Sequence, residues 1–431
     1  MRVLIITYGS RGDVQPYIAL GRELSRAGHH VTLATSERFR EFVTSHRLDY
    51  GYMSDDLLAI IDTPQGKELL ENTTNVFQVI WQNIKLSRQV KPLTAALMRE
   101  SWEVAQHVRP DYIIYHPKAG AAPHIAEKQK IGCALATPIP MFVPTSEFPF
   151  PVLPDFRIGG WYNRLSYRII NSLSNWFLGP FAKDFRNEIG LPPLKAFNVL
   201  KASDGSDISV LHAHSQAVVP RPTDWPQSAF VTGYWFLDEE TDWECPGPLL
   251  DFLNAGAPPI YVGFGSVTGR NPERLAKVVV EAIQMTGLRG VIATGWGGLK
   301  TEHLPSSIHK IEGAPHDWLF PRMAAVVHHG GAGTTAAGLR AGKPTVVVPF
   351  FGDQPFWGKR IHELGAGPKP IPHKKLTANR LSTALLEATS NREMIETAQL
   401  VGRAIRSEDG VSNAVEIVQK LACDREAADG L

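Results

Sequence analysis

Cysteine is scarce in this chain. Three occur in 431 residues, Cys133, Cys245 and Cys423. They lie far apart and form no Cys-x-x-Cys pair, which argues against a disulfide scaffold and against a cysteine-held metal. An excess of one charge is also missing. Lys and Arg number 44 against 43 Asp and Glu, a formal net charge of +1, and the two signs are interspersed. Without a basic block or an aromatic-basic stripe, nucleic acid is not the expected partner. No apolar run reaches the ~18 residues of a membrane span. The opening run Met1–Ile6 passes directly into a glycine turn, without the long apolar region of a secretory signal. The expectation is a soluble, cytoplasmic protein.

What is present is alternation. Short apolar strands such as Val3–Ile6, Val31–Ala34 and Tyr112–Tyr115 alternate with helical patterns, the signature of a parallel sheet covered by helices. The first helix is predicted from Pro16, and a long amphipathic helical region from about Thr74 to His107. The stretch from Thr137 to Pro154 is rich in proline and aromatics, which excludes regular structure. An apolar helical region from Trp161 to Phe181 follows, with Arg157, Arg164 and Arg168 along it. It reads as a core helix, as the wall of an apolar cleft, or as a face resting on a membrane surface.

A charged, then proline-rich segment from Asp238 to Pro248 is a plausible linker. Beyond it a second series is predicted at Ile260–Phe264, Val291–Thr294, Lys310–Ile311, Ala325–His328 and Thr345–Val348. The length suits two domains, read here as 1–237 and 238–400, with a final helical segment 401–431 packing back on the N-terminal one. The fold class is α/β, two Rossmann-like doubly wound domains facing each other across a cleft.

One segment carries the most chemistry. Val326-Val327-His328-His329-Gly330-Gly331-Ala332-Gly333-Thr334-Thr335 is a strand, two histidines, a glycine turn and a helix start. Backbone N–H groups at a helix start lack intrahelical partners and carry partial positive charge, so they bind phosphate. Glycines let the main chain approach the anion, and a histidine at the strand end adds a hydrogen bond or a charge.

The sequence resembles the inverting, nucleotide-sugar-dependent glycosyltransferases of GT-B architecture, and among them the sterol and lipid glucosyltransferase branch. The resemblance is carried by Gly9-Ser10-Arg11-Gly12-Asp13-Val14-Gln15-Pro16, Asp224-Trp225-Pro226, Gly233-Tyr234-Trp235, Pro315-His316-Asp317-Trp318-Leu319-Phe320, the His328–Thr335 segment and Pro349-Phe350-Phe351-Gly352-Asp353-Gln354. These span nearly the whole chain in order. Residues of about 55 to 220 match only loosely.

The resemblance implies a donor site. His329 falls at the family's phosphate-contacting histidine, with Gly331, Ala332, Gly333 and Thr334 forming a diphosphate cradle. Ser266 matches a hydroxyl that reaches the phosphates, and Ser10, Arg11 and Gly12 line the facing turn. Pro315, His316 and Trp318 match the segment around the nucleobase. Asp353 and Gln354 match an acid–amide pair on the sugar hydroxyls, where a carboxylate accepts protons and an amide makes both kinds of bond. Plant members place a glutamate on the ribose eight residues after the histidine; here that position is Ala337, so ribose recognition comes from elsewhere. With no Asp-x-Asp in the chain, and a helix start plus His329 to meet the diphosphate, the expectation is no metal and no cofactor beyond the UDP-sugar itself.

Catalytic residues follow from the same resemblance. Gly12-Asp13-x-x-Pro16 overlays the Gly-His-x-x-Pro pattern that presents the family's base, which puts Asp13 there. Asp13 can equally cap the first helix. The family's orienting aspartate is replaced by His116 at the end of Pro110-Asp111-Tyr112-Ile113-Ile114-Tyr115-His116, implying a swapped Asp13–His116 dyad. Trp81, Phe142, Phe148, Phe150 and Trp161 are the expected acceptor wall, suited to a large apolar alcohol such as a sterol. The implied activity is inverting transfer of a hexose, most simply glucose from UDP-glucose, to a sterol 3-beta-hydroxyl. The alternatives are a macrolide- or triterpenoid-type transferase using a UDP- or dTDP-sugar, a nucleotide-sugar epimerase, and a non-catalytic nucleotide-sugar binder.

Overall fold

The chain is described from a computed structural model over residues 1–63, 76–194, 197–238, 243–265, 272–294 and 304–429; for 61, 62, 76–89 and 426–429 this covers the backbone alone. Seven strands, β1 (Arg2–Ile6), β2 (His30–Ser36), β3 (Asp49–Met53), β4 (Tyr112–Tyr115), β5 (Gly132–Thr137), β6 (Ser209–His212) and β7 (Ala229–Val231), form one sheet in the order β3-β2-β1-β4-β5-β6-β7. Five more, β8 (Ile260–Gly263), β9 (Gly290–Ala293), β10 (Ile308–Ile311), β11 (Val326–His328) and β12 (Thr345–Val347), form a second in the order β10-β9-β8-β11-β12. Every pairing is parallel.

Burial explains the architecture. Leu4, Ile6, Ile113 and Tyr115 enter one core cluster while Val3, Ile5, Tyr112 and Ile114 enter another. Alternate side chains therefore leave β1 and β4 on opposite faces, and both faces are covered, as a parallel sheet requires. In each sheet the strand order reverses once, between β1 and β4 and between β8 and β11. A crevice opens at the carboxyl ends of such a pair. Register fixes its floor: Ile6 pairs with Tyr115, and Gly263 with His328.

Several local expectations change. The first helix runs Arg11–Arg26, starting five residues before Pro16, because the Asp13 carboxylate accepts from the Ser10 backbone N–H (2.7 Å) and closes the first turn there. Strands β3, β5, β6 and β7 were not anticipated; Asp49–Met53 and Gly132–Thr137 are too polar or too small-residue-rich to read as apolar runs. The C-terminal helical stretch is two helices, Arg392–Ser407 and Gly410–Asp429.

The lobes meet through a shared cluster in which Val218, Val219 and Tyr234 pack with Ala336, Leu339, Trp357, Ile361 and Ile405. At the rim, Phe148 and Phe356 lie 5.6 Å apart, Lys359 pairs with Asp155, and Arg157 with Glu363 at 3.1 Å. The last helix returns to the first lobe, burying Ala414, Val415, Val418 and Ala422 beside Val14 and Ile18. Its start crosses Gly233 backbone to backbone: a Cβ on Gly410 would lie 2.4 Å from the Gly233 carbonyl carbon.

Candidate active site

The turn after β1 and the end of β4 are neighbours at the first crevice. The backbone N–H of His116 donates to Ile6 (2.8 Å). Asp13, in the first turn of the helix Arg11–Arg26, points back over this junction, and its Oδ1 stands 3.3 Å from Nε2 of His116. The other carboxylate oxygen, Oδ2, accepts from the Ser10 hydroxyl (3.0 Å) and from Lys118 Nζ (3.0 Å). Gly9 makes room for this: a Cβ there would fall 2.2 Å from Asp13 Oδ2 and 2.7 Å from Lys118 Nζ.

His116 has a defined tautomer. Its Nδ1 accepts the Lys118 backbone N–H (3.1 Å), so the ring proton sits on Nε2 and is donated to Asp13. Burial lowers the His116 pKa, against the opposing effect of Asp13. Burial also pushes the Asp13 pKa upward, but Lys118 and His116 outweigh it and hold the carboxyl well below the usual range. Lys118 was missed by sequence reasoning. Its one available signal was a lone cation two residues beyond His116, in His116-Pro117-Lys118.

The second crevice carries the glycine turn. His328 is fully buried and its Nδ1 accepts from the Gly330 N–H (2.9 Å), which fixes the loop. The His329 ring lies between glycines: a Cβ on Gly331 would come 2.5 Å from Nε2, and one on Gly265 3.3 Å from Cε1. Nδ1 of His329 has no hydrogen-bond partner among the described residues, and burial lowers the pKa to about 4. The ring is therefore neutral near neutral pH and offers a hydrogen bond rather than a charge. The helix Ala332–Arg340 starts directly beyond, its first N–H groups at Ala332, Gly333 and Thr334 having no carbonyl of their own helix behind them. Ser266 lies outside the described residues.

Asp353 and Gln354 flank this turn, Gly330 being so close that a Cβ would lie 3.0 Å from the Gln354 carbonyl oxygen. Gln354 Oε1 accepts from the N–H groups of Phe350 (2.7 Å) and Phe351 (3.2 Å). Its acceptor sites are thereby occupied, so toward a ligand its amide is a donor, not a group of both kinds. Asp353 Oδ2 accepts from Trp357 Nε1 (2.7 Å), and burial raises its pKa to about 6 against that bond. Asp13 and Lys118 act electrostatically on Asp353, and Arg11 on His316, which places the two crevices opposite one another.

In the segment expected to face the nucleobase, His316 stacks on Phe320 (4.2 Å, 16°) and Trp318 holds Arg322 over its ring at 4.0 Å, with Trp243 tilted against it at 4.9 Å. Pro315 occupies the N-cap position of the short helix His316–Leu319. Ala337 packs into the same apolar cluster and brings no polar group.

At the expected acceptor wall Phe142 and Phe148 pack against one core cluster, and Phe150 meets Phe142 edge to face at 6.0 Å. Trp161 does not join them. It stands 64% exposed on the outward face of the helix Gly160–Glu188, because the inward positions there belong to Asn163, Ser166 and Tyr167. The Trp81 side chain lies outside the described residues. Asp224 anchors the loop that carries the phenylalanines, accepting from Thr145 Oγ1 (2.7 Å), the Ser146 N–H (2.8 Å) and Arg164 (3.0 Å).

Two parallel α/β lobes with a glycine turn on one and an acid–histidine pair on the other define the GT-B architecture. Solved structures of that architecture superpose on the chain: the glycosyltransferase of kitacinnamycin (TM-score 0.71, 19% identity, 97% of this chain and 98% of that one) and VinC in complex with DTDP (TM-score 0.69, 19% identity, 98% and 99%). The glycosyltransferase family 28 N-terminal domain matches residues 3–146, and the erythromycin biosynthesis protein CIII-like C-terminal domain residues 291–422.

Among curated proteins, two sterol 3-beta-glucosyltransferases of Arabidopsis thaliana are 37% and 35% identical over 422 and 430 residues, each match covering 96% of this chain and 65% and 67% of the relative. One of Aspergillus fumigatus is 37% identical over 435 residues, covering 97% of this chain and 30% of the relative. The chain belongs to the glycosyltransferase family that includes these sterol 3-beta-glucosyltransferases, and spans about two thirds of the plant members' length and under a third of the fungal one's.

Proposed function

We propose that this protein transfers glucose from UDP-glucose, with inversion, to the 3-beta-hydroxyl of a sterol. The observation that carries the reading is the Asp13–His116 pair at one switch point, set across the cleft from Asp353 and the His329 turn at the other. The sterol assignment draws on relatives at 35% and 37% identity over nearly all of this chain. In this reading residues 1–237 bind the acceptor, 238–400 hold the donor, and the final segment ties the two.

The division of labour follows from hydrogen bonding. N–H groups of Gly331, Ala332, Gly333 and Thr334, with the His329 ring, would meet the diphosphate and stabilise its charge as it leaves. Asp353 would accept from sugar hydroxyls while the Gln354 amide donates. Both His116 nitrogens are engaged, so the Asp13 carboxylate is the group left to take the acceptor proton. His116 would hold that carboxylate in line, and the sterol body would lie against Phe142, Phe148 and Phe150.

The test is to incubate the purified enzyme with UDP-glucose and a mixture of sterols, flavonoids and macrolides, and to identify products by mass. A sterol glucoside supports the reading; product on macrolides alone, made from dTDP-sugars, replaces it. That second reading rests on the match to the erythromycin-type C-terminal domain and on Ala337 in place of a ribose-binding acid. Epimerised donor formed without acceptor would point to an isomerase, and absence of product with any alcohol to a non-catalytic binder.

A further inference from the structure

The helix Gly160–Glu188 has two unlike sides. Inward it buries Tyr167, Phe181 and Phe185, and its Ser166 hydroxyl accepts from the Phe150 N–H (2.7 Å) beneath the acceptor loop. Outward, Trp161, Leu165, Ile169 and Trp176 are all exposed, the two tryptophans by 64% and 66%. Steps of four, four and seven residues put these four on one stripe. Phe156 and Ile158, in the loop leading into the helix, are exposed as well.

The charges on this segment have one sign. Between Asp155 and Asp184 the sequence holds Arg157, Arg164, Arg168 and Lys183 and no acidic residue. Arg157 and Arg164 bind Glu363 and Asp224, while Arg168 and Lys183 have no ion-pair partner among the described residues. No helix among those residues is long and apolar enough to cross a membrane, so the face is built to lie on a surface, not to enter one lengthwise.

We propose that this face docks the protein on a bilayer containing anionic phospholipid. Tryptophan suits the boundary between acyl chains and headgroups, its ring apolar and its N–H wet. Leu165 and Ile169 supply apolar area to the acyl side, and Arg168 and Lys183 meet headgroup phosphates. A soluble protein partner would more readily be matched by mixed charges. The binding is independent of the transfer reading. If that reading holds, the face, next to the rim pairs Lys359–Asp155 and Arg157–Glu363, would bring the cleft to membrane-dissolved sterol.

The experiment is sedimentation of the full chain with sucrose-loaded vesicles of phosphatidylcholine, with and without phosphatidylserine, and with no sugar donor present. The chain is expected to sediment with the phosphatidylserine vesicles and to be released by salt. A Leu165→Ser, Ile169→Ser, Trp176→Ser triple variant should lose at least about tenfold in partitioning, and Arg168→Glu at least about fivefold, both with thermal midpoints like wild type. Should the triple variant fail to fold, Arg168→Glu alone decides. Wild type remaining in the supernatant, or variants sedimenting like it, overturns the proposal. So does a concentration-dependent dimer that the substitutions abolish, which would assign the face to a second copy of the chain.

Discussion

The ammonium of Lys118 sits 3.0 Å from Oδ2 of Asp13. It holds the carboxylate ionised far into acid but also makes it a weaker base. In Lys118→Met that depression is relieved. The acid limb of kcat/KM that belongs to Asp13 should then move to higher pH, and Lys118→Arg should move it back. A profile unchanged between wild type and the Met variant would leave Lys118 without influence on the reaction.

Asp13→Ala should reduce turnover by at least about 10²-fold while UDP still binds, as measured by calorimetry. His116→Gln should cost less, because it orients the carboxylate and does not receive the proton.

Asp353 gives the cleft its own pH dependence. Burial raises its pKa to about 6, and in the proposed reading the form that accepts from sugar hydroxyls is the ionised one. The KM for UDP-glucose is expected to rise as pH falls through about 6, and Asp353→Asn should remove that dependence. In stability the sign is opposite. A raised carboxyl favours folding while protonated, so this contribution is full below the unfolded value and disappears as pH climbs through about 6.

Two glycines of the turn separate geometry from ligand approach. Gly330 has φ +93, and a Cβ would lie 2.7 Å from Val347 Cγ1, so Gly330→Ala should destabilise by about 2 kcal/mol. A Cβ on Gly333 meets nothing within 4 Å. Gly333→Ala should keep or slightly raise the thermal midpoint yet weaken UDP binding by about tenfold or more, since the new methyl stands where a phosphate would approach. Unchanged affinity would remove Gly333 from the donor site.

Excess EDTA should leave the rate unaltered if, as proposed, the helix start at Ala332 and the His329 ring answer the diphosphate charge. Loss of activity restored by a divalent ion would show that they do not suffice.

Much of this was legible in the sequence because the decisive signals are local. Strand-to-glycine-to-helix transitions at Gly9–Asp13 and His329–Thr335 mark both crevices, and the apolar runs in β1, β4 and β11 read as buried parallel strands. The swapped Asp13–His116 pair was implied by the family resemblance, and the two side chains stand 3.3 Å apart. Other features depend on tertiary packing. Lys118 matters only because β4 ends beside β1, and Gln354 lost its acceptor role to two backbone N–H groups that no pattern announces. Trp161 looked like a cleft residue by composition, but helical phase turned it outward. The helix start at Arg11 was hidden by the pull of Pro16 as a first-turn residue.

The crossing of Gly233 and Gly410 makes the second lobe a guest inserted into the first. A chimera that exchanges donor preference between relatives therefore needs two junctions, one near 238 and another near 409, and a single-cut swap would import a foreign terminal helix against Val14 and Ile18.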